Sequence, residues 1–441
     1  MKKIYLIGLA VLGIAMSVSA ADFGGKKFYI NPGHGGHDSN DRPTALPLSV
    51  PMFYESDGNL SRGLAARDFF TANKASVKMS RTTNTSGDDL ALSTIASNSN
   101  SYGGYFMSLH SNAANASANY MVSFFRSSSS AKTTESIGGS KAMATQVSNW
   151  HDAVTLSNQT YATPRALGDY SFYGYNLGVL RTNNRPGYLV ETWFHDYRPE
   201  ALRMKSNTYN KFLAWQIVRA ALASPGGSGT LPGVVMGDIR DLSLSCGYTN
   251  YTTRGRDKYK AVEGATVELL NSEGTVLQTM TTDNYENGFY AFWVSTAGTY
   301  TVRVSKSGYK TATKDVAISL NQQYMTNFDL TQGADTGISV TPAAIDLGEL
   351  AIGSTASATI TVSGASLSSA ITATSSNSAF QLSASSLGTS GGSLTVTFTA
   401  TASGTHSSTI TLTSGSYTKT VNVTAVVTTP PLEFEEVWNF S

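Results

Sequence analysis

The pattern of the chain changes sharply at the segment SPGGSG, residues 224–229. Before it, residues 26–223 alternate short apolar strands with helix-like segments. This alternation predicts an α/β domain with a twisted, mostly parallel sheet flanked by helices. After it, only short alternating strands and turns follow, which predicts two all-β sandwich domains at residues 231–331 and 336–427.

The overall composition narrows the class of protein. A chain of 441 residues with 41% hydrophobic residues is long and apolar enough for several packed cores. A formal net charge of +1 provides no global field toward nucleic acid or anionic lipid, so we expect neither as a partner. The single cysteine, Cys246, excludes an internal disulfide and a cysteine-based metal site. Residues 224–230 have the composition of a flexible linker, and residues 428–441 are interpreted as a second linker or tail.

The N-terminus has the features of a secretory signal peptide at residues 1–20. Lys2 and Lys3 precede an apolar run from Ile4 to Met16, and the small-residue exit VSA follows. A membrane anchor is the weaker alternative, because the run is shorter than the ~20 residues that a spanning helix needs. We therefore expect a secreted or periplasmic protein without membrane contact after signal cleavage.

Three predicted strand ends in the α/β domain carry side chains that can bind a metal or transfer a proton. The apolar strand FYIN runs into the turn PGHGG, which holds His34 between two pairs of chain-breaking residues. The strand YFMSLH ends at His110, and the strand GYLVE ends at Glu191. Sites in α/β folds lie beyond the carboxyl ends of the strands, so we expect these three residues at one edge of the sheet.

Local signals also predict the helix boundaries. Asp57 is expected to cap the first helix, and Asp88 or Asp89 to open the second. A third helix is expected from residue 135 to about residue 154. The last helix is expected to run without interruption over residues 199–223, with its apolar residues on one stripe.

With Glu55, which precedes a helix, the domain offers two histidines and two carboxylates for chemistry. Two imidazoles and one carboxylate form the ligand set of a catalytic zinc, which keeps a fourth position for water. Zinc lowers the pKa of that water from 15.7 to about 7. A carboxylate outside the ligand set can pass the proton of the water to a leaving nitrogen, which is typically worth ~10²–10⁴ in rate. Spacing alone leaves the metal assignment open.

The sequence around these residues resembles the zinc-dependent N-acetylmuramoyl-L-alanine amidases over residues 27–223. Five motifs occur in the order of that family: NPGHGGHD (31–38), YESDGNL (54–60), MSRT (79–82), MSLHSNA (107–113) and YLVET (188–192). The resemblance implies that His34, Glu55 and His110 bind zinc and that Glu191 is the catalytic acid/base. It also implies hydrolysis of the amide between N-acetylmuramic acid and L-alanine in peptidoglycan, with a zinc-activated water as the nucleophile.

The β domains resemble known modules as well. The segment GATVELL and the later turn motifs resemble a carboxypeptidase regulatory-like domain, whereas residues 338–427 resemble bacterial immunoglobulin-like domains in pattern. Neither carries a catalytic set. We therefore expect them to act as spacers or to contact the wall or carbohydrate.

The chain departs from the amidase motifs at a few positions. Asn31 stands where the family usually has Asp, Ser39 and Asn40 where it usually has Gly, and Trp193 where a small residue is more usual. Residues 41–53 contain three prolines and are expected to form an irregular loop. These departures concern the fit of the substrate more than the chemistry.

Other polar residues keep more than one interpretation. His37 is favoured as a rim or supporting residue over a ligand, because the intervening glycines disfavour a helix. Asp38 either orients the ring of the preceding histidine or caps the loop. His151 is expected to be structural, and His195 is assigned either to the lining of the cleft or to the scaffold. Arg181 is either a contact for a substrate carboxylate or an ordinary surface arginine.

Two alternatives to the peptidoglycan amidase remain at this stage. One is a zinc peptidase or amidase acting on soluble muropeptides or on another amide. The other is a catalytically inert wall-binding or adhesion protein. Retention of all four chemical residues argues against the inert alternative, since such a protein has no chemical need of them.

Overall fold

The computed structural model of the chain describes residues 20–37, 40–41, 43–46, 50–153, 156, 165–249, 252–333 and 336–428. Across them, an α/β unit is followed by two β-sandwiches, which confirms the predicted fold class. The α/β unit contains all four residues that the motifs selected for chemistry, His34, Glu55, His110 and Glu191.

A six-stranded sheet forms the centre of the α/β unit. Its strands are β1 (Lys27–Pro32), β2 (Ser76–Met79), β3 (Tyr105–Asn112), β4 (Val122–Phe125), β5 (Arg165–Gly168) and β6 (Gly187–Phe194). They lie in the order β2-β1-β3-β6-β4-β5, and β4 runs antiparallel to β6 while the other neighbours are parallel. Because β1, β3 and β6 are adjacent and parallel, their carboxyl ends meet at one edge.

Helices cover both faces of this sheet. They are α1 (Glu55–Ala72), α2 (Leu92–Tyr102), α3 (Ser140–Asp152), α4 (Asp169–Tyr173), α5 (Gly178–Arg181), α6 (Arg198–Met204) and α7 (Asn207–Ala221). Ile30 and Val190 share an apolar core with α1, α3 and α7, whereas Tyr29 and Leu189 share a second core with α2 and α5. Burial on both faces explains why the strands are almost continuously apolar. No helix in the described ranges is long and apolar enough to cross a membrane.

The start of α1 differs from the local prediction. The helix begins at Glu55 after Tyr54, so Asp57 lies in its first turn and is not the cap. A carboxylate from the preceding loop takes over part of that role: Asp41 accepts the backbone N–H of Ser56 at 2.9 Å and its hydroxyl at 2.5 Å. The partner comes from 15 residues away, beyond the reach of a local capping signal.

Other helix boundaries differ for local reasons. Asp88 ends a short 3₁₀ turn, Ser86–Asp88, and α2 begins only at Leu92. The third helix begins at Ser140 and not at residue 135, because Gly139 adopts a left-handed conformation with φ +88°. Its predicted end at residue 154 lies outside the described residues.

The predicted last helix is divided into α6 and α7. The break falls at Lys205 and Ser206. There the side-chain amide of Asn210 donates to the carbonyl oxygens of Met204 and Ser206, at 2.7 and 3.2 Å. The bond to Met204 satisfies a carbonyl group in the last turn of α6, whereas the carbonyl oxygen of Ser206 also accepts the backbone N–H of Asn210 at 3.0 Å.

The first β-sandwich follows the α/β unit. Its strands are β7 (Gly233–Ser245), β8 (Tyr259–Ala261), β9 (Thr266–Leu270), β10 (Val276–Thr281), β11 (Phe289–Val294), β12 (Gly298–Ser305), β13 (Ala312–Ile318), β14 (Gln323–Met325) and β15 (Phe328–Asp329). One sheet has the order β10-β9-β12-β13, and β11, β14, β15 and β8 pair with β7 in the other.

The second β-sandwich has the alternation expected of its sequence, with apolar residues inward and Ser or Thr outward. Its strands are β16 (Gly337–Thr341), β17 (Ala344–Ala351), β18 (Thr355–Ala365), β19 (Ile371–Ser375), β20 (Phe380–Leu382), β21 (Ser386–Leu387), β22 (Gly391–Thr399), β23 (Gly404–Ser414) and β24 (Tyr417–Thr428). The sheets have the orders β16-β18-β22-β20 and β17-β24-β23-β19-β21.

The glycine-rich junction between the first two units is hydrogen-bonded. Ala21 donates to Thr230 and Asp22 to Ser228, both at 2.9 Å, so the junction pairs with the start of the described chain. This differs from the flexible linker that its composition predicts. The two units also share one apolar core, in which Trp215 of α7 donates its indole N–H to the carbonyl oxygen of Pro232 at 3.1 Å.

Candidate metal centre and active site

Three side chains from different elements converge at the carboxyl edge of the sheet. His34 lies two residues past the end of β1, His110 lies within β3, and Glu55 is the first residue of α1. One ligand atom from each residue lies within 4.8 Å of the others. Two imidazole nitrogens and a carboxylate oxygen are a donor set suited to zinc.

Glu55 is at the centre of this group. Its Oε2 atom lies 3.1 Å from Nε2 of His34, and its Oε1 atom lies 3.1 Å from Nδ1 of His110. The backbone N–H of Ser111 and the side-chain amide of Asn59 also donate to Oε1, at 2.9 and 3.1 Å. These bonds hold the buried carboxylate in one orientation.

The charges of the group depend on burial and on mutual contact. Burial opposes ionisation of Glu55, but hydrogen bonds from His110 and His34 hold its pKa well below the ordinary range. Burial alone would lower the pKa of His34, yet the contact with Glu55 raises it to about 9. For His110 burial prevails and its pKa is lowered. The site therefore stabilises an ionised carboxylate between two imidazoles.

The turn that carries His34 is tightly constrained. His34 has φ +59°, a left-handed conformation that costs a non-glycine residue about 1–2 kcal/mol. A Cβ atom on Gly33 would lie 2.0 Å from the imidazole of His110, so only glycine fits there. Arg81 donates to the carbonyl oxygens of Pro32 and Gly33, both at 3.0 Å, and to that of Ser56 at 2.8 Å. This one buried guanidinium joins the turn to the start of α1.

A second buried arginine supports the other histidine. Arg62 is fully buried and donates to the carbonyl oxygen of His110 at 3.3 Å and to Oδ1 of Asn59 at 3.1 Å. Burial lowers its pKa to about 10. No role was predicted for Arg62, Asn59 or Arg81 from the sequence, although Asn59 and Arg81 lie inside two of the motifs. The position of Asn59 and Arg81 inside these motifs could have indicated that both residues support the site.

Glu191 lies beside the three converging side chains but is not one of them. It pairs with His110 across β3 and β6, and with Val122 of β4 on its other side. Neighbouring strands are about 4.8 Å apart, so Glu191 is held one strand away from His110. Two residues later, Trp193 has φ +59° and is buried in the core, which explains how this position accommodates a large side chain.

Residues 29–223 match the family model described as N-acetylmuramoyl-L-alanine amidase. Residues 29–223 form an amidase domain of this family. The expected enzyme class, a hydrolase of the carbon–nitrogen bond in linear amides, is thereby confirmed. Residues 256–331 match the carboxypeptidase regulatory-like domain, as predicted.

Solved structures similar to this chain include further amidases. AmiC2 of Nostoc punctiforme is 21% identical to this chain with a TM-score of 0.35, and the match covers 45% of this chain and 97% of that one. An N-acetylmuramoyl-L-alanine amidase from Clostridium difficile 630 is 24% identical with a TM-score of 0.37, and the match covers 45% of this chain and 95% of that one. Ami1 from Mycobacterium smegmatis is 18% identical with a TM-score of 0.38, and the match covers 46% of this chain and 97% of that one. A comparison with curated proteins finds no match. The assignment of the amidase domain rests on the family model.

A cleft of about 440 Å³ opens next to the histidines of the amidase domain. Its lining includes His34, His110, Asn31 and Leu92. Asn31, where the family usually has Asp, donates to the hydroxyl of Ser108 at 2.8 Å and accepts the hydroxyl of Ser80 at 2.8 Å. At this position the amide joins β1 to its two neighbours.

The remaining polar candidates lie around the amidase site in different ways. His37 stacks on Tyr54, with ring centroids 3.7 Å apart, and its Nε2 atom lies 3.0 Å from Asp57, outside the three converging residues. His151 is buried in α3, and burial lowers its pKa to about 3. His195 is buried, with Nδ1 bonded to Ser111.

Arg181 ends α5 with an exposed side chain and is not among the described residues that line the cleft. Asp38 and Ser39 lie outside the described residues.

Proposed function

We propose that the amidase domain hydrolyses the amide bond between N-acetylmuramic acid and L-alanine in peptidoglycan, with zinc held by His34, Glu55 and His110. The observation that carries this proposal is the convergence of the three ligand atoms within 4.8 Å, with Glu191 on the adjacent strand. The family of the domain supports peptidoglycan as the substrate.

The donor atoms fit zinc by their chemistry. Nitrogen from two imidazoles and oxygen from one carboxylate form the three-ligand set of catalytic zinc sites, which keep a further position for water or substrate. When bound, zinc supplies Lewis acidity and makes water acidic enough to react near neutral pH. The hydrogen bonds from Ser111 and Asn59 to Glu55 fix the carboxylate that would serve as the third ligand.

Glu191 is the residue that moves protons in this proposal. Its carboxylate accepts a proton from the attacking water and delivers it to the leaving amide nitrogen of L-alanine, so that the amine departs neutral. Such transfer is typically worth ~10²–10⁴ in rate. Glu55 cannot take this part while it is bonded to both histidines.

The products of a digest test the reaction and the substrate together. Purified protein with zinc is incubated with purified sacculi, and the soluble products are analysed by mass spectrometry. We expect intact stem peptides that begin with L-alanine, together with peptide-free glycan strands. If every lactyl–alanine bond in the sacculi stays intact while soluble muropeptides are cleaved, the alternative of a muropeptide-specific amidase is correct.

Zinc content tests the roles of the residues. We expect Glu191→Ala to keep stoichiometric zinc and to lose most turnover, and His34→Ala to lose zinc itself. His37→Ala is the matched control, because His37 lies outside the converging group and its loss should leave the zinc content unchanged. Equal loss of zinc in Glu191→Ala and His34→Ala would contradict the assignment.

Export is a further part of the proposal. The signal-like features of residues 1–20 support secretion or a periplasmic location, where peptidoglycan is accessible. We expect the mature protein to begin at Ala21, which N-terminal sequencing of the protein from its producing cells would test. Full-length protein retained in the cytoplasm would contradict it.

A further inference from the structure

A group of aromatic rings lies next to the amidase site and has no part in the chemistry proposed above. Phe172 and Tyr173 at the end of α4, with Tyr175 two residues later, form what we call the aromatic ledge. Their ring centroids are 4.8 Å apart between Phe172 and Tyr173 and 5.6 Å apart between Tyr173 and Tyr175. Phe172 is 40% exposed and Tyr175 is 58% exposed. Adjoining rings with this exposure indicate a contact surface.

The aromatic ledge lies on the same face of the sheet as Glu191. Val122 of β4 is paired with Glu191, and Phe124 follows two residues later. Paired residues and residues two apart project to the same face of a sheet. The ring of Phe124 contacts Phe172 and Tyr173, each at 5.2 Å between centroids. The ledge is thus anchored about 7 Å along β4 from the partner of Glu191.

The ledge also shares a supporting apolar cluster with the wall of the cleft. Leu90 lines the cleft and packs with Tyr173 against the same apolar cluster. Leu92, which also lines the cleft, is 53% exposed, and Met52, which is 46% exposed, lies three residues before α1. Among the described residues of the α/β unit, every exposed large apolar side chain is therefore in the ledge, in the cleft wall or just before the helix of Glu55.

The chemistry of the ledge suits a sugar ring. The face of an aromatic ring carries negative potential, and the C–H bonds on one face of a pyranose present positive hydrogens to it. The ledge segment SFYGY, residues 171–175, contains no charged side chain, which disfavours recognition of the charged groups of a stem peptide. A glycan strand, by contrast, extends past the cleaved bond as a row of uncharged pyranose rings, each with a face of C–H bonds.

We propose that the aromatic ledge binds the glycan strand of peptidoglycan, by stacking against sugar rings that neighbour the muramoyl residue under attack. This inference rests on the proposed function, because it assigns to the same site a second part of the same polymer. It predicts a difference between long and short substrates, since a muramoyl peptide with a single sugar does not reach the ledge.

Peptide-free glycan strands test the ledge separately from catalysis, because they lack the scissile amide. We expect the Phe172→Ala/Tyr175→Ala double variant to bind these strands about tenfold more weakly than the unmodified protein, as two aromatic contacts of ordinary strength imply. Tyr175→Phe keeps the ring face and should bind normally.

Kinetics provide the second measurement. We expect the double variant to raise KM for sacculi while kcat/KM for a single-sugar muramoyl peptide stays unchanged. Unaltered binding of peptide-free strands would overturn the inference, and so would an equal loss on the short substrate, which would indicate damage to the site. Failure of the unmodified protein to cleave sacculi would instead overturn the proposed function, while its binding of glycan strands would still report on the ledge.

Discussion

A buried ionic network between the amidase domain and the first β-sandwich provides the sharpest test of the structure. Asp257 of the sandwich lies 2.7 Å from Nη1 of Arg203 and 3.2 Å from Nη2 of Arg240, and it accepts the hydroxyl of Tyr197 at 3.0 Å. The side chains of Arg203 and Asp257 are fully buried. Burial opposes the charge on Arg203, but Asp257 and Glu200 hold its pKa well above the ordinary value.

The substitution Asp257→Ala removes the shared acceptor and leaves the arginines buried. Loss of one partner from a buried ion pair typically costs about 3–5 kcal/mol. Arg203 retains Glu200 at 2.6 Å, and Arg240 retains Asp238 at 2.9 Å, so we expect the lower end of that range. The expected loss in the free energy of unfolding is therefore about 3 kcal/mol.

Urea denaturation followed by tryptophan fluorescence measures this loss. The matched control is Asp329→Ala, since Asp329 pairs with Arg256 in the same sandwich but its side chain is 50% exposed. Its expected cost is about 0–1 kcal/mol. The Arg203→Ala/Asp257→Ala double variant should lose less than the sum of the single variants, because each single variant leaves a buried partner behind. If Asp257→Ala costs no more than Asp329→Ala, the network is not buried as described.

The same contact should affect catalysis. Arg254, three residues before Asp257, donates its backbone N–H to the hydroxyl of Tyr197 at 3.0 Å, and its guanidinium bonds to Ser117. Ser117 and Tyr197 lie in the loops that follow β3 and β6, the strands of His110 and Glu191. We therefore expect Arg254→Ala to lower kcat/KM on sacculi with its zinc content unchanged. An unchanged kcat/KM would show that these loops need no support from the sandwich.

Three further predictions concern the site itself. Gly33→Ala should abolish zinc binding, because the added Cβ atom would lie 2.0 Å from the ring of His110. The far-ultraviolet circular dichroism spectrum should stay native. A normal zinc content in this variant would contradict the described turn. Arg81→Ala removes three hydrogen bonds to backbone carbonyl groups and should lower the free energy of unfolding by about 2–4 kcal/mol, as measured by urea denaturation. A loss of less than about 1 kcal/mol would contradict the role of Arg81 in joining the turn to α1. Chelation followed by dialysis should abolish hydrolysis of sacculi and added zinc should restore it; full activity in protein shown by atomic absorption to contain no metal would exclude the proposed role of zinc.

Much of the candidate site could be predicted from the sequence because its residues lie close to the boundaries of strands and helices. An apolar run that breaks into Pro-Gly predicts where β1 ends, and this end places His34 at the edge of the sheet. His110 and Glu191 were expected at two more strand ends for the same reason, but β3 continues to Asn112 and β6 to Phe194, so both residues lie inside their strands. The supporting roles of Arg62 and Arg81 were not predicted, since both side chains donate to backbone carbonyl groups of distant residues, and the sequence does not specify such acceptors.

The amino-acid sequence by itself determined the order of the units, the alternation of strands and helices, and the four residues available for chemistry. These features follow from local periodicity and chain-breaking residues, which act over a few positions. The tertiary structure alone decided that Asp41 helps to cap α1, that the glycine-rich junction pairs with Ala21 and Asp22, and that Arg203 meets Asp257 across 54 residues. Burial of a charge or closure of a long loop depends on which distant segments pack together, so that information arises only when the whole chain is folded.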